Sequence, residues 1–66
     1  MRYVSVEDMK RLLGVRFISG SPEEIEVLRA WTQNLVQEEG EVYVRKYRRK
    51  LCRDWMRMRD SGLSRV

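Results

Sequence analysis

The 66-residue sequence contains no histidine, one cysteine and one proline, and it has no long run of apolar residues. A single cysteine excludes a disulfide within one chain, and without histidine it also excludes a Cys/His zinc cluster. The sequence has no phosphate-binding loop and no cluster of metal-ligating residues. We therefore expect a non-enzymatic protein without a bound metal or cofactor.

The distribution of apolar residues bears on the location of the protein. No apolar stretch reaches the roughly 20 residues of a membrane-spanning helix. The first residues mix charged and apolar side chains, unlike the apolar core of a signal peptide. We therefore expect a cytoplasmic protein. Its length predicts one domain over residues 1–66, of marginal stability because a chain this small buries only about 60% of its unfolded surface.

Two serines predict the starts of the first two helices. Ser21 is followed by Pro22 and Glu24, the pattern in which a serine and an acid cap a helix N-terminus reciprocally. Ser5 is an N-cap followed by Glu7 and Asp8, whose charges favour the positive end of a helix. Gly14 predicts the end of the first of these helices, because glycine readily adopts the left-handed conformation of a helix stop. We predict helices over about residues 5–13 and 21–39.

The segments that flank the first helix have no helical period. Residues 1–4 are short and partly apolar, and residues 15–20 show a weak alternation of apolar and polar side chains. This leaves open a very short pair of strands near the N-terminus. Within the second segment we expect Phe17 and Ile18 to fill part of the core.

Residues 41–60 hold eight of the fourteen Lys and Arg residues and only three acids, so this stretch has a net charge of +5 while the other 46 residues sum to −1. At roughly 100° per residue, its apolar side chains fall on one arc of a helix. That arc comprises Tyr43, Val44, Tyr47, Leu51, Trp55 and Met58. The opposite side, here called the basic face, comprises Arg45, Lys46, Arg49, Lys50, Arg53 and Arg57. We predict a third helix over about residues 41–61, ended by Gly62.

Gly40 separates the second and third predicted helices. On one continuous helix the apolar arc would rotate by roughly 150° between the two halves, and a single packed face cannot follow that rotation. We therefore predict an antiparallel helical hairpin with Trp31 and Trp55 in a shared core, within an all-α fold of three helices. Whether Gly40 breaks the helix or only kinks it stays open.

The basic face predicts contact with an anionic partner. Like charges four residues apart repel each other along a helix, and a face that merely stays in solvent would usually intersperse acids. A helix of twenty residues is about 30 Å long and fits the major groove of DNA. The face carries no Asn, Gln, Ser or Thr to read bases, and the aromatic residues are expected to be buried. The first hypothesis is therefore largely non-specific binding of DNA or RNA phosphates.

The second hypothesis is a protein–protein adaptor or inhibitor. Its basic face would dock on an acidic protein surface, and the protein itself could form a homodimer. Arg48 and Arg59 lie at the edge of the apolar arc, where acids of a neighbouring helix would neutralise them. We expect no membrane binding, because the second helix offers an apolar face that would cover the apolar arc.

Residues 3–15, YVSVEDMKRLLGV, resemble the opening of excisionase-like and MerR-like DNA-binding domains. These domains begin with a short strand, a Ser or Thr cap, an acid pair, an apolar pair and Leu-Gly-Val. In the family a recognition helix rich in Ser, Thr and Arg follows, whereas VRFISGSPEE follows here. We therefore assign none of the family's DNA-contacting residues to positions of this sequence. The resemblance would imply that DNA binding depends on Arg16 and Arg29 and not on the basic face.

Overall fold

The computed structural model describes residues 3–60, without the side chains of Arg59 and Asp60, and the predicted helix end at Gly62 lies outside this range. The described residues form four helices and no strand, which confirms the all-α fold. The helices are α1 (Val6–Leu13), α2 (Pro22–Glu39), α3 (Glu41–Lys46) and α4 (Arg48–Asp60). Helix α1 contacts each of the other three, and α2 also contacts α3.

Serine caps begin the first two helices, as predicted. The Ser5 hydroxyl accepts a hydrogen bond from the Asp8 backbone N–H at 3.1 Å, and the Asp8 carboxylate accepts one from the Ser5 N–H. Ser21 and Glu24 exchange the same pair of bonds at the start of α2. Each reciprocal pair satisfies backbone donors that a helix N-terminus otherwise leaves without partners.

Two glycines end α1 and α2 in conformations that other residues rarely adopt. Gly14 has φ 70° and ψ 32°, the left-handed region, and its N–H bonds back to the last turn of α1. Gly40 has φ 93° and ψ 163°, a combination that is essentially restricted to glycine. Gly40 therefore separates α2 from α3 and does not merely kink one continuous helix, which answers the question that the sequence leaves open.

The prediction of a single third helix is wrong in one respect: the structure has two helices, α3 and α4, separated at Tyr47. This residue has φ −106° and ψ 21°, between α3 and α4. Hydrogen bonds continue on both sides, from the Tyr47 N–H to the Tyr43 oxygen at 3.0 Å and from the Leu51 N–H to the Tyr47 oxygen at 2.9 Å. No glycine or proline marks the bend, so it reflects packing: Val44 before it and Leu51 after it are buried in the same core.

The core joins side chains from all four helices and from the N-terminal segment. Its buried apolar members are Val4, Met9, Leu12, Leu13, Leu28, Val44, Leu51 and Trp55. The rings of Trp31 and Trp55 lie 6.5 Å apart between centroids, which confirms the predicted tryptophan contact. Thr32 is fully buried as well, and its hydroxyl donates to the Leu28 carbonyl oxygen at 2.9 Å.

Two apolar residues do not occupy the predicted positions. Phe17, which we expected in the core, is 75% exposed, and Val27, which helical spacing places on one apolar arc with Leu28 and Trp31, is 44% exposed. The connector between α1 and α2 brings only Ile18 and Val15 against the core. Val27 therefore lies outside the buried stripe of α2, whose buried members are Leu28 and Thr32.

The N-terminal segment is held by side chains of α2 and not by a second strand. Gln33 accepts a hydrogen bond from the Val4 N–H at 3.1 Å, and Arg29 donates one to the Val4 carbonyl oxygen at 2.8 Å. The same Arg29 nitrogen donates to Gln33 at 2.7 Å. Both backbone groups of Val4, which a strand would use for pairing, are thus satisfied by α2.

Replacing Gln33 with leucine should lower the free energy of unfolding by about 1–3 kcal/mol, because the Val4 N–H, beside a fully buried side chain, loses its acceptor. Urea unfolding followed by circular dichroism measures the change. Asn34→Leu is a matched control one residue away on the exposed side of α2. Equal unfolding midpoints for the two variants would contradict the anchoring role of Gln33.

Candidate functional site

The residues of the basic face lie on two helices. Arg45 and Lys46 belong to the short helix α3, and the other four belong to α4. All six side chains are exposed. The bend at Tyr47 interrupts the row of arginines, so the basic face is not the straight rod of about 30 Å that a continuous helix would form.

A shallow depression forms where the two helices meet at the bend. We call it the basic cleft, and it is lined by Lys46, Tyr47, Arg48, Arg49, Lys50 and Arg53. It includes four of the six residues of the basic face. Arg45 and Arg57 are exposed outside its lining. The structure therefore concentrates five cations around one concave surface.

Arg48 belongs to this cleft although the sequence placed it at a helix–helix edge, with acids as partners. The aliphatic end of its side chain lies against the end of α1, where a Cβ at Gly14 would come within 3.1 Å of the Arg48 Cδ and Nε atoms. The side chain nevertheless stays exposed. A glycine at position 14 thus leaves room for Arg48 to pack its stem and present its charge, as long cationic side chains often do.

Tyr47 is the second residue of the cleft that the sequence did not predict there. The sequence placed it on the apolar arc, either at the edge of the core or in an exposed patch, and its side chain is 39% exposed. The Tyr43 ring lies 4.7 Å away between centroids at an angle of 49°, and the Lys46 ammonium lies 5.6 Å from the centroid of Tyr47. The bend therefore places an aromatic ring among the cations of the cleft, backed by a second ring.

The described ion pairs lie away from the basic cleft. The described ion pairs join Lys10 to Glu7, Arg11 to Asp8 and Arg29 to Glu26, all on α1 and α2. Within residues 3–60, no ion pair is formed by the cations Arg45, Arg49, Lys50 and Arg53. The first turn of α4 contains no acid, although the positive end of a helix favours one. An external anion would therefore not have to displace an ion-pair partner from these four cations.

An apolar cavity opens elsewhere on α4, beside the connector between α1 and α2. Its lining includes Phe17, Ile18, Cys52, Trp55 and Met56. Cys52 is a half-buried free thiol, and burial raises its pKa. At neutral pH the raised pKa favours the protonated thiol, which is the less reactive form.

Arg29, which the family resemblance would assign to DNA binding, is engaged within the fold. Its side chain is only 11% exposed, and it donates two hydrogen bonds to the Glu26 carboxylate at 3.0 and 2.8 Å. These hydrogen bonds lower the pKa of Glu26 and raise that of Arg29. Because the pKa of Glu26 is lower in the folded than in the unfolded protein, its pairing with Arg29 stabilises the fold at pH values above the unfolded-state pKa of Glu26. This stabilisation is lost as the pH falls through the folded-state pKa of Glu26. Arg16 is exposed on the connector.

Residues 3–60 contain no group of three or more Cys, Asp or Glu side chains placed to hold a metal ion. No helix in this range is long and apolar enough to cross a membrane. The fold and surface define a small all-α domain with a concave basic surface. Comparison with protein-family models, with curated proteins and with solved structures finds no match.

Proposed function

We propose that this protein is a non-enzymatic nucleic-acid-binding protein whose basic cleft contacts phosphates. The observation that carries the proposal is the convergence of Lys46, Arg48, Arg49, Lys50 and Arg53 around one concave surface. Several of these cations lack an ion pair within the described residues, so phosphates would not have to displace an existing partner. Contacts between Lys or Arg and phosphate supply most of the affinity of non-specific nucleic-acid binding.

The composition of the surface supports binding without strong sequence preference. The cleft lacks the Asn, Gln, Ser and Thr side chains that commonly read base edges, and its arginines and lysines reach phosphate oxygens as readily as bases. Guanidinium groups also form two parallel hydrogen bonds to a phosphate. The expected activity is therefore the coating or positioning of a nucleic-acid backbone.

The salt dependence of affinity tests this proposal directly. If four to six cations contact phosphates, log K should fall against log salt with a slope of about −4 to −5, which is a loss of roughly 250- to 1,000-fold between about 50 and 200 mM salt. Fluorescence anisotropy of a labelled short duplex and of the matching RNA measures it. Affinity should also rise with the length of the oligonucleotide. Absence of binding to either probe at the lower salt would refute the proposal.

A second candidate function is docking on an acidic protein surface, including that of a second copy. The observation that favours it is the apolar cavity beside α4, where Phe17 of the connector is 75% exposed and Met56 of α4 is 48% exposed. An interface commonly combines an apolar centre with a charged rim. This candidate predicts that nucleic acid is ignored at physiological salt. For the homodimer, sedimentation should show self-association that Phe17→Ser abolishes.

A further inference from the structure

We infer that the basic cleft prefers single-stranded nucleic acid, with the ring of Tyr47 stacking on an unpaired base. This inference rests on the proposed function and specifies its ligand. The residues that line the cleft combine one exposed aromatic ring with five cations. Proteins that bind single strands without sequence preference use this combination, in which cations follow the backbone and aromatic rings stack on bases.

The geometry around Tyr47 suits a stacking platform. The neighbouring Tyr43 ring, at 4.7 Å between centroids, limits the movement of the Tyr47 side chain. The ammonium of Lys46 lies over the ring, 5.6 Å from its centroid, and the Tyr47 side chain is 39% exposed. Lys46 is exposed and can turn toward a phosphate when a base takes its place over the ring.

The bend at Tyr47 also disfavours the duplex as the preferred ligand. A helix that lies along the major groove presents a regular row of side chains, but α3 has six residues and α4 has thirteen, and the backbone of Tyr47 between them is not helical. The cations converge on a concave surface instead of extending along a groove. A flexible single strand can bend into that surface and place an unpaired base against Tyr47, whereas a base within a duplex is already stacked.

The experiment compares single-stranded with double-stranded probes. Labelled oligothymidine and oligouridine of about twelve nucleotides, a duplex of equal length and an abasic strand of equal length are titrated by anisotropy at about 50 mM salt. We expect the wild type to bind both single strands more tightly than the duplex. Tyr47→Ser should weaken single-strand binding by about 5- to 100-fold and change duplex binding by less than about twofold. Tyr47→Phe should bind as the wild type does.

Controls separate stacking from loss of structure and from failure of the proposed function. Tyr3→Ser removes an exposed tyrosine outside the cleft and should leave single-strand affinity unchanged. The wild type should bind the abasic strand as weakly as Tyr47→Ser binds oligothymidine, a result that needs no folded variant. Equal wild-type affinity for abasic and intact strands, or equal losses for single strand and duplex in Tyr47→Ser, would overturn the inference. Wild-type protein that binds no probe would refute the proposed function itself.

Discussion

Reversing two charges in the basic cleft, with Arg49→Glu and Arg53→Glu together, should lower the affinity for nucleic acid at about 50 mM salt by about 100-fold or more. Each phosphate contact adds close to one unit to the salt slope, which at this salt corresponds to about tenfold in affinity. The slope of log K against log salt should become shallower by about two. Anisotropy titrations over a range of salt concentrations measure both quantities.

The double variant should remain folded. Both side chains are exposed, and within residues 3–60 neither forms an ion pair. The like-charge pair four residues apart persists as two glutamates, but each glutamate then stands four residues from an arginine, Arg45 or Arg57, which favours the helix. Far-ultraviolet circular dichroism should therefore show unchanged helicity. Loss of helicity would mean that this surface is packed in the native protein, which would weaken both candidate functions.

A matched single substitution separates the basic cleft from the family resemblance. Arg53→Glu and Arg16→Glu change the net charge equally, and both positions are exposed. Binding through the cleft predicts a loss of about tenfold or more for Arg53→Glu and a much smaller loss for Arg16→Glu. The reverse order would support a DNA-binding surface around the connector, as the resemblance to excisionase-like and MerR-like domains implies.

Truncating the tryptophan of α4, by Trp55→Ala, should leave most of the protein unfolded at room temperature. Trp55 is 6% exposed and packs against Trp31 and the rest of the core. Removing a buried aromatic side chain costs about 3–5 kcal/mol, because apolar contacts are lost and a cavity remains. The core of a chain this small rarely supplies more than about 3–5 kcal/mol of stability. Circular dichroism during urea titration should show little native baseline.

The neighbouring residue offers the control for this prediction. Met56→Ala truncates a large side chain one position away, but that side chain is 48% exposed and should change the free energy of unfolding by less than about 1 kcal/mol. Trp55→Phe keeps most of the buried volume and should retain a cooperative transition. If Trp55→Ala unfolded at the same urea concentration as the wild type, this would show that α4 contributes little to the core.

The sequence predicted part of the candidate site and missed the rest for a definite reason. Position on a helical wheel is sufficient to predict that Arg49, Lys50 and Arg53 are exposed together, since it depends only on residue spacing. It assigns Tyr47 to the buried side, because the wheel assumes a straight helix. The bend at Tyr47 has no glycine or proline to indicate it, and it brings this ring into the cleft.

The contacts of Arg29 also could not be predicted from its position on a helical wheel. On the wheel of α2 it belongs to the polar side, and its exposure there would be the ordinary expectation. In the structure the N-terminal segment lies across that side, and Val4 supplies a carbonyl oxygen to the Arg29 guanidinium. The partners are 25 residues apart in sequence, so no local pattern indicates the contact.

The sequence by itself determined the helical class, the starts of α1 and α2, the end of α1 at Gly14, an interruption at Gly40 that it left open as a break or a kink, and the concentration of positive charge after residue 40. These features depend on neighbours three or four residues away, where capping, backbone conformation and helical period operate. Only the tertiary structure decided the bend at Tyr47, the exposure of Phe17 and the convergence of Arg48 with the other cations. Each of these depends on how helices distant in sequence pack against one core, and packing alone selects which side chains remain at the surface.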